Sequence, residues 1–128
     1  MQVVIVTPEA TALDVKAEFV ALPLIDGEIG VLAGHAPTIG RLGFGEMRVR
    51  TGSDTTSYYV DGGFVQIADD MVSVLTGKAM LTSELNASEI RQRLTEAESK
   101  SDATGSEAAL RRTTINQAKA QLRILEKA

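Results

Sequence analysis

The hydrophobic period of this chain changes near Ser83, and that change limits the fold more than any other feature. Before it, apolar residues alternate with polar ones in short runs broken by glycine, proline and paired acids, the period of strands. After it they recur every three or four residues, the period of a helix. A chain of 128 residues has room for one compact domain, or a small domain with an appendage. The expected organisation is a strand-built first part, residues 1–83, followed by a helical second part, residues 84–128.

The strand signals come in order. Val3-Val4-Ile5-Val6 is a β-branched run closed by Thr7-Pro8, which predicts a short strand buried on both faces or seated in a sandwich core. Leu13, Val15, Ala17 and Phe19 alternate with Asp14, Lys16 and Glu18, which predicts one strand with a core face and a water face. Pro23 cannot donate a ladder hydrogen bond, so the segment reaching Ile25 is expected along a sheet edge. Residues 26–37, DGEIGVLAGHAP, hold Gly27, Gly30 and Gly34 with His35 and Pro37, and predict a shaped loop anchored by Ile29, Val31 and Leu32. Further on, Met47-Arg48-Val49-Arg50 alternates, Gly52, Ser53 and Asp54 supply a turn, and Ser57-Tyr58-Tyr59-Val60 forms the return strand of a hairpin. Asp61-Gly62-Gly63 is the next expected break. Phe64-Val65-Gln66-Ile67, the Asp69-Asp70 turn and Met71-Val72-Ser73-Val74-Leu75 give strand, turn, strand. Many short strands at close spacing point to an antiparallel sandwich or barrel.

Past Ser83, Ala87, Ile90, Leu94 and Ala97 lie on one helical face, and Asn86 with Glu89 three residues later resembles a capping box. Residues 87 to about 100 are the expected first helix, and residues 101–106 are turn-like. Ile115, Ala118, Leu122 and Leu125 form the stripe of a second helix, so an antiparallel hairpin is expected. Neither stripe is wide, and alanine fills part of each, so the hairpin should dock weakly.

Charge and composition exclude several functions. The net charge is −4, yet residues 1–83 carry 5 bases against 10 acids while residues 84–128 carry 8 against 7. That balance, with only 4% aromatic residues and no tryptophan, argues against a nucleic-acid binder. The absence of cysteine removes disulfides and thiolate metal sites and fits a reducing compartment. No apolar run approaches the roughly 18 residues that span a bilayer, and the first residues lack a signal- or transit-peptide pattern. A soluble intracellular protein able to dock on a membrane complex is the expectation.

A search for chemistry leaves little. His35 is the single histidine and the obvious candidate base, but no nucleophile motif accompanies it, so a structural or partner-contact role is expected. Asp69-Asp70 could face a cation; two adjacent acids in a turn are more simply solvated. Gly43-Phe44-Gly45 opens like a dinucleotide fingerprint, but Arg48 stands at the third glycine position. Gly77-Lys78 lacks the first glycine and the following hydroxyl of a phosphate loop. The sequon Asn86-Ala87-Ser88 reads as a helix cap. No cofactor, metal or catalytic residue is expected. Two alternatives remain, a free-standing sandwich adaptor and a small His35-dependent enzyme.

The motif order resembles that of the epsilon subunit of F-type ATP synthases. The matching residues are Gly27-Glu28-Ile29-Gly30-Val31-Leu32, Gly34-His35-Ala36-Pro37, Gly45-Glu46-Met47-Arg48-Val49, Val60-Asp61-Gly62-Gly63-Phe64-Val65, Val72-Ser73-Val74-Leu75 and Ala118-Lys119-Ala120-Gln121-Leu122-Arg123. The resemblance implies an α+β protein, a flattened antiparallel β-sandwich of about ten strands followed by a two-helix hairpin. It implies a non-catalytic rotor subunit of a proton-translocating complex on the cytoplasmic face of a bacterial plasma membrane. Its partners would be the gamma subunit and the c-ring, and transiently the alpha and beta subunits, with no second copy of itself required. By position, Glu28 and Gly30 would face the ring, and Gly34, His35, Ala36 and Pro37 would lie near gamma. Arg111, Arg112, Lys119 and Arg123 would serve a hairpin that can swing up and inhibit ATP hydrolysis against the acidic beta surface.

Two positions depart from the pattern. Ala33 stands where proline is common. Leu85-Asn86-Ala87-Ser88-Glu89-Ile90 lacks the acid and the arginine that ATP-binding members carry in the first helix, so no useful ATP binding is expected.

Overall fold

The computed structural model describes residues 1–100 and 105–127. The chain divides into two compact units, Met1–Thr82 and Ser83–Ala128. The first unit has eight continuous strands among the described residues: β1 (Gln2–Val6), β2 (Thr11–Lys16), β3 (Phe19–Leu24), β4 (Gly27–Leu32), β5 (Thr38–Thr51), β6 (Asp54–Ala68), β7 (Met71–Leu75) and β8 (Ala79–Leu81). Their hydrogen-bonded order is β2-β1-β7-β6-β5-β3-β4, with β8 beside β6.

Two long strands turn this single path into two layers. β5 and β6 form a hairpin closed at Thr51↔Asp54, as the turn chemistry predicts, but the ladder skips Gly43 and Gly62 between Leu42↔Gly63 and Phe44↔Asp61. Gly62 and Gly63 have φ of 71° and 103°, a region open to glycine, so β6 kinks there instead of ending. Before the kink β6 pairs with β8, and after it with β7. One layer is β2, β1, β7, the second half of β6 and the first half of β5. The other is β8, the first half of β6, the second half of β5, β3 and β4. Counting each long strand once in each layer restores the expected ten.

Alternation then builds the core. Val3, Ile5, Val65, Val72 and Val74 from one layer meet Val20, Leu22, Val31, Met47 and Val60 from the other in one apolar cluster. Each such fully buried side chain contributes roughly 1.5–3 kcal/mol, so this cluster is built from aliphatic residues with few aromatics in the chain.

Several expectations change. Residues 26–37 are not one loop, because Gly27–Leu32 forms β4, paired along its length with β3. Gly30 marks no turn: a Cβ there would sit 2.9 Å from Cε2 of the Phe19 ring, so glycine makes room for an aromatic side chain. The expected strand from Leu13 to Phe19 splits at Ala17-Glu18, and Phe19 opens β3 with the opposite facing. Pro23 is not on an edge, since β3 lies between β4 and β5, but the β3–β5 ladder is irregular between Ala21 and Leu24, where the proline sits. β1 buries Val3 and Ile5 only, and it pairs in parallel with β7, the exception in an otherwise antiparallel sandwich.

A short 3-10 turn, Thr82–Glu84, leads into the second unit and its helices α1 (Ala87–Ser99) and α2 (Ser106–Lys127). Asn86 caps α1, its side chain accepting a hydrogen bond from the Glu89 N–H at 3.1 Å. The α1 stripe holds, with Ile90 and Ala97 buried. On α2 Ala118 of the expected stripe is buried and Ile115, Leu122 and Leu125 are half-buried, but the buried side also takes in Ala120, Gln121 and Ile124, so it is wider than the stripe. Gln121 can be buried because its Oε1 accepts from Nη2 of Arg93 at 3.4 Å, a polar partner for a polar side chain. The pairs Arg93–Gln121 and Arg111–Ala97 run in opposite senses along the two helices, which makes the hairpin antiparallel. Of the expected turn over residues 101–106, residues 101–104 lie outside the described residues.

Candidate functional site

The residues singled out by sequence fall in three separate places. Glu28 and Gly30 lie on the outward face of β4, and Gly34, His35, Ala36 and Pro37 follow its other end. About 13 Å of extended strand separates Glu28 from Leu32, so the two groups do not form one site.

Glu28 is committed to a partner. β3 lies between β4 and β5, and Ala21 pairs with both Gly30 and Arg48, which puts Glu28, Glu46 and Arg48 on the same outer face. Arg48 reaches over with both nitrogens, Nη2 to Glu28 Oε1 at 2.8 Å and Nη1 to Glu28 Oε2 at 3.1 Å. Glu46 Oε1 lies 3.5 Å from Nη1. The hydrogen bond to Glu28 raises the Arg48 pKa, and partial desolvation opposes it. The surface feature at this position is therefore an arginine clamped between two acids, not an isolated carboxylate. The side chains are 34% and 49% exposed, so water screens the pair. A double-mutant cycle with Arg48→Met and Glu28→Gln, read by urea denaturation, should give a coupling of about 0.5–1 kcal/mol. A coupling above about 2 kcal/mol would show that the pair is far less screened than its exposure indicates.

Residues 33–37 form the real loop. Gly34 takes φ 81°, and His35 N–H bonds the Leu32 carbonyl at 3.2 Å to close the turn. The His35 ring lies 2.8 Å from the Ala36 carbonyl through Nδ1, and Thr38 Oγ1 donates to that same carbonyl at 3.0 Å. That carbonyl can orient the ring, but among the described residues no side-chain hydroxyl or carboxylate hydrogen-bonds to the ring, so no nucleophile–base pair is assembled around His35.

One feature escaped the reading of sequence. On the outward face of the first layer, Val6, Leu75 and Phe64 are neighbours in one row across β1, β7 and β6, and Arg41 of β5 continues it. They are 38%, 53% and 57% exposed, and Ile39, one row nearer the loop, is 77% exposed. The signal existed in Val6, Phe64 and Leu75 falling on the outward parity of their strands, but it is readable only once the register is known. A contiguous exposed apolar row of this kind is a candidate interaction surface.

On the hairpin, Arg111 turns inward, its Nε donating to the Ala97 carbonyl at 2.8 Å. Arg112, Lys119 and Arg123 are exposed, and their spacing of seven and four places them on one face of α2. Asn86, inside the segment that departs from ATP-binding members, is already used as the cap of α1. Among the described residues no group of three or more His, Cys, Asp or Glu side chains could hold a metal ion, and no helix is long and apolar enough to cross a membrane.

A kinked two-layer sandwich with an apolar outer row, followed by a helical hairpin with a basic face, defines a subunit built for protein contacts. Comparison with known proteins agrees. Residues 1–99 match the family described as ATP synthase, Delta/Epsilon chain, beta-sandwich domain, and the chain belongs to that family. It is 48% identical over 120 residues to an ATP synthase epsilon chain of Rhodopirellula baltica, covering 94% of each chain. Its fold is similar to a chain in the Euglena gracilis mitochondrial ATP synthase (OSCP/F1/c-ring), with TM-score 0.86, 22% identity, and coverage of 96% of this chain and 79% of that one. It is also similar to a chain in the central stalk/c-ring of the Tetrahymena thermophila mitochondrial ATP synthase, with TM-score 0.66, 13% identity, and coverage of 96% and 94%.

Proposed function

We propose that this chain is the epsilon-type, non-catalytic rotor subunit in the central stalk of a proton-translocating F-type ATP synthase, where it binds gamma and the c-ring and helps couple proton flow to ATP synthesis. The observation that carries the reading is kinship over 94% of both chains with an ATP synthase epsilon chain. Geometry supports it: the row Val6, Leu75, Phe64, with Ile39 leading toward the loop of residues 33–37, is an apolar surface suited to gamma. The Arg48-clamped Glu28 lies on the other layer and suits the polar rim of the ring. Docked this way, the chain is peripheral to the cytoplasmic face of a bacterial plasma membrane. The test is co-expression with gamma, alone and in the full complex: the chain should co-purify with both. A chain that stays free, or retains turnover of its own that vanishes on His35→Ala, would instead support the adaptor or the enzyme.

The hairpin supports a second, regulatory role. Its exposed basic face, Arg112, Lys119 and Arg123, suits an acidic partner surface such as that of the beta subunits. Truncation after Ser83 should raise ATP hydrolysis by the assembled complex severalfold; unchanged hydrolysis under all nucleotide conditions would remove inhibition from the account.

A further inference from the structure

The turn between β6 and β7 is unusual in its backbone. Asp69 and Asp70 take φ of 52° and 58°, the left-handed region, and Ala68 pairs with Met71 across them. Two-residue hairpin turns of this hand favour Asn, Asp or Gly at the first position but Gly at the second, where it would take this conformation with no steric cost. Position 70 nevertheless carries a carboxylate, and that carboxylate has a task elsewhere. Its Oδ1 accepts a hydrogen bond from the Gly34 N–H at 3.3 Å, across 36 residues of chain. Its Oδ2 lies 3.7 Å from the amino nitrogen of Met1, a looser contact on the carboxylate's other oxygen. Asp70, Met71, Leu32 and His35 line one small cleft, so the turn and the loop of residues 33–37 meet there.

The loop's other bonds are local: His35 to Leu32, His35 to Ala36, Thr38 to Ala36. Those bonds tie the loop only to the ends of its own flanking strands, β4 and β5, whereas the Asp70 bond ties it to the β6–β7 turn. We infer that Asp70 is a positioning residue, holding the loop of residues 33–37 at the edge of the apolar face so that both present one surface to the same protein partner. This rests on the reading of that loop and face as the gamma contact. Asp69 shares the turn and its backbone geometry but makes no such bond, which provides an internal control.

The experiment uses the full chain with Asp70→Gly, Asp69→Gly and Asp70→Asn. Both glycine variants keep the left-handed turn without strain, and asparagine keeps an oxygen acceptor at position 70. Solvent exchange of the Gly34 amide, measured by NMR, should speed up roughly 2- to 12-fold in Asp70→Gly, the range expected for one lost hydrogen bond. Asp69→Gly and Asp70→Asn should stay close to the parent. Affinity for purified gamma should fall by a similar factor in Asp70→Gly alone. Unchanged Gly34 exchange in Asp70→Gly overturns the inference, as does faster exchange with unchanged affinity. Asp70→Asn behaving like Asp70→Gly also contradicts it, because the charge rather than the hydrogen bond would then be what matters. If the parent chain does not bind gamma, the proposed function fails, while Gly34 exchange still decides whether Asp70 holds the loop.

Discussion

Gly63→Ala is expected to cost roughly 2–6 kcal/mol and to leave much of the protein unfolded under conditions where the parent is folded. Two effects combine. The residue sits at φ 103°, where a side chain is strained by about 1–3 kcal/mol. A Cβ there would also lie 1.9 Å from the Leu75 carbonyl oxygen, 2.9 Å from its carbon and 3.0 Å from the Thr76 Cα, all backbone atoms that cannot rotate away. Overpacking typically adds about 1–3 kcal/mol, against a total stability for a small domain of about 5–15 kcal/mol. Gly52→Ala is the matched control: its φ is 62°, but nothing lies within 4 Å of the added atom, so the cost should be about 1–2 kcal/mol. Urea denaturation of the two variants separates the cases. Equal midpoints would mean that β6 does not need its close approach to β7, and the two-layer account of the kink would be wrong.

Phe64→Glu should do the reverse, sparing the fold and removing the partner. Phe64 is more than half exposed, and its cross-strand neighbour Arg41 can face the new carboxylate, so the folded state should change by less than about 1 kcal/mol. Binding to gamma should weaken by at least about 30-fold, because a charge placed in the apolar centre of an interface costs about 2 kcal/mol or more. Gln66→Glu, one row away on the same face, should cost far less. Calorimetric titration of both variants against gamma is the check. Phe64→Glu binding like the parent would move the contact to another surface.

What could be read beforehand follows the range of the interactions involved. The Thr51↔Asp54 hairpin, the Asp69-Asp70 turn and the Asn86 cap each depend on residues within a few positions, and each stands as expected. Gly30 misled because its reason is Phe19, which reaches it only through the β3–β4 ladder. Gly62 and Gly63 look like a strand end and are a kink, because β7 and β8 hold β6 on either side of them. Glu28 was singled out, but its partner Arg48 is twenty residues on and meets it across β3. Gln121 was missing from the α2 stripe, since a buried glutamine is intelligible only with Arg93 beside it. The apolar row and the Asp70 tie depend entirely on register, so neither could be seen in one dimension.

The most direct measurement of the central claim is ATP synthesis driven by an ion gradient in membranes that hold the synthase without this chain. Adding the purified protein should restore synthesis in proportion to the amount bound, while the protein alone hydrolyses no ATP. Synthesis that is already complete without it, or that stays absent although the chain is bound, would contradict its role as a coupling subunit of the rotor.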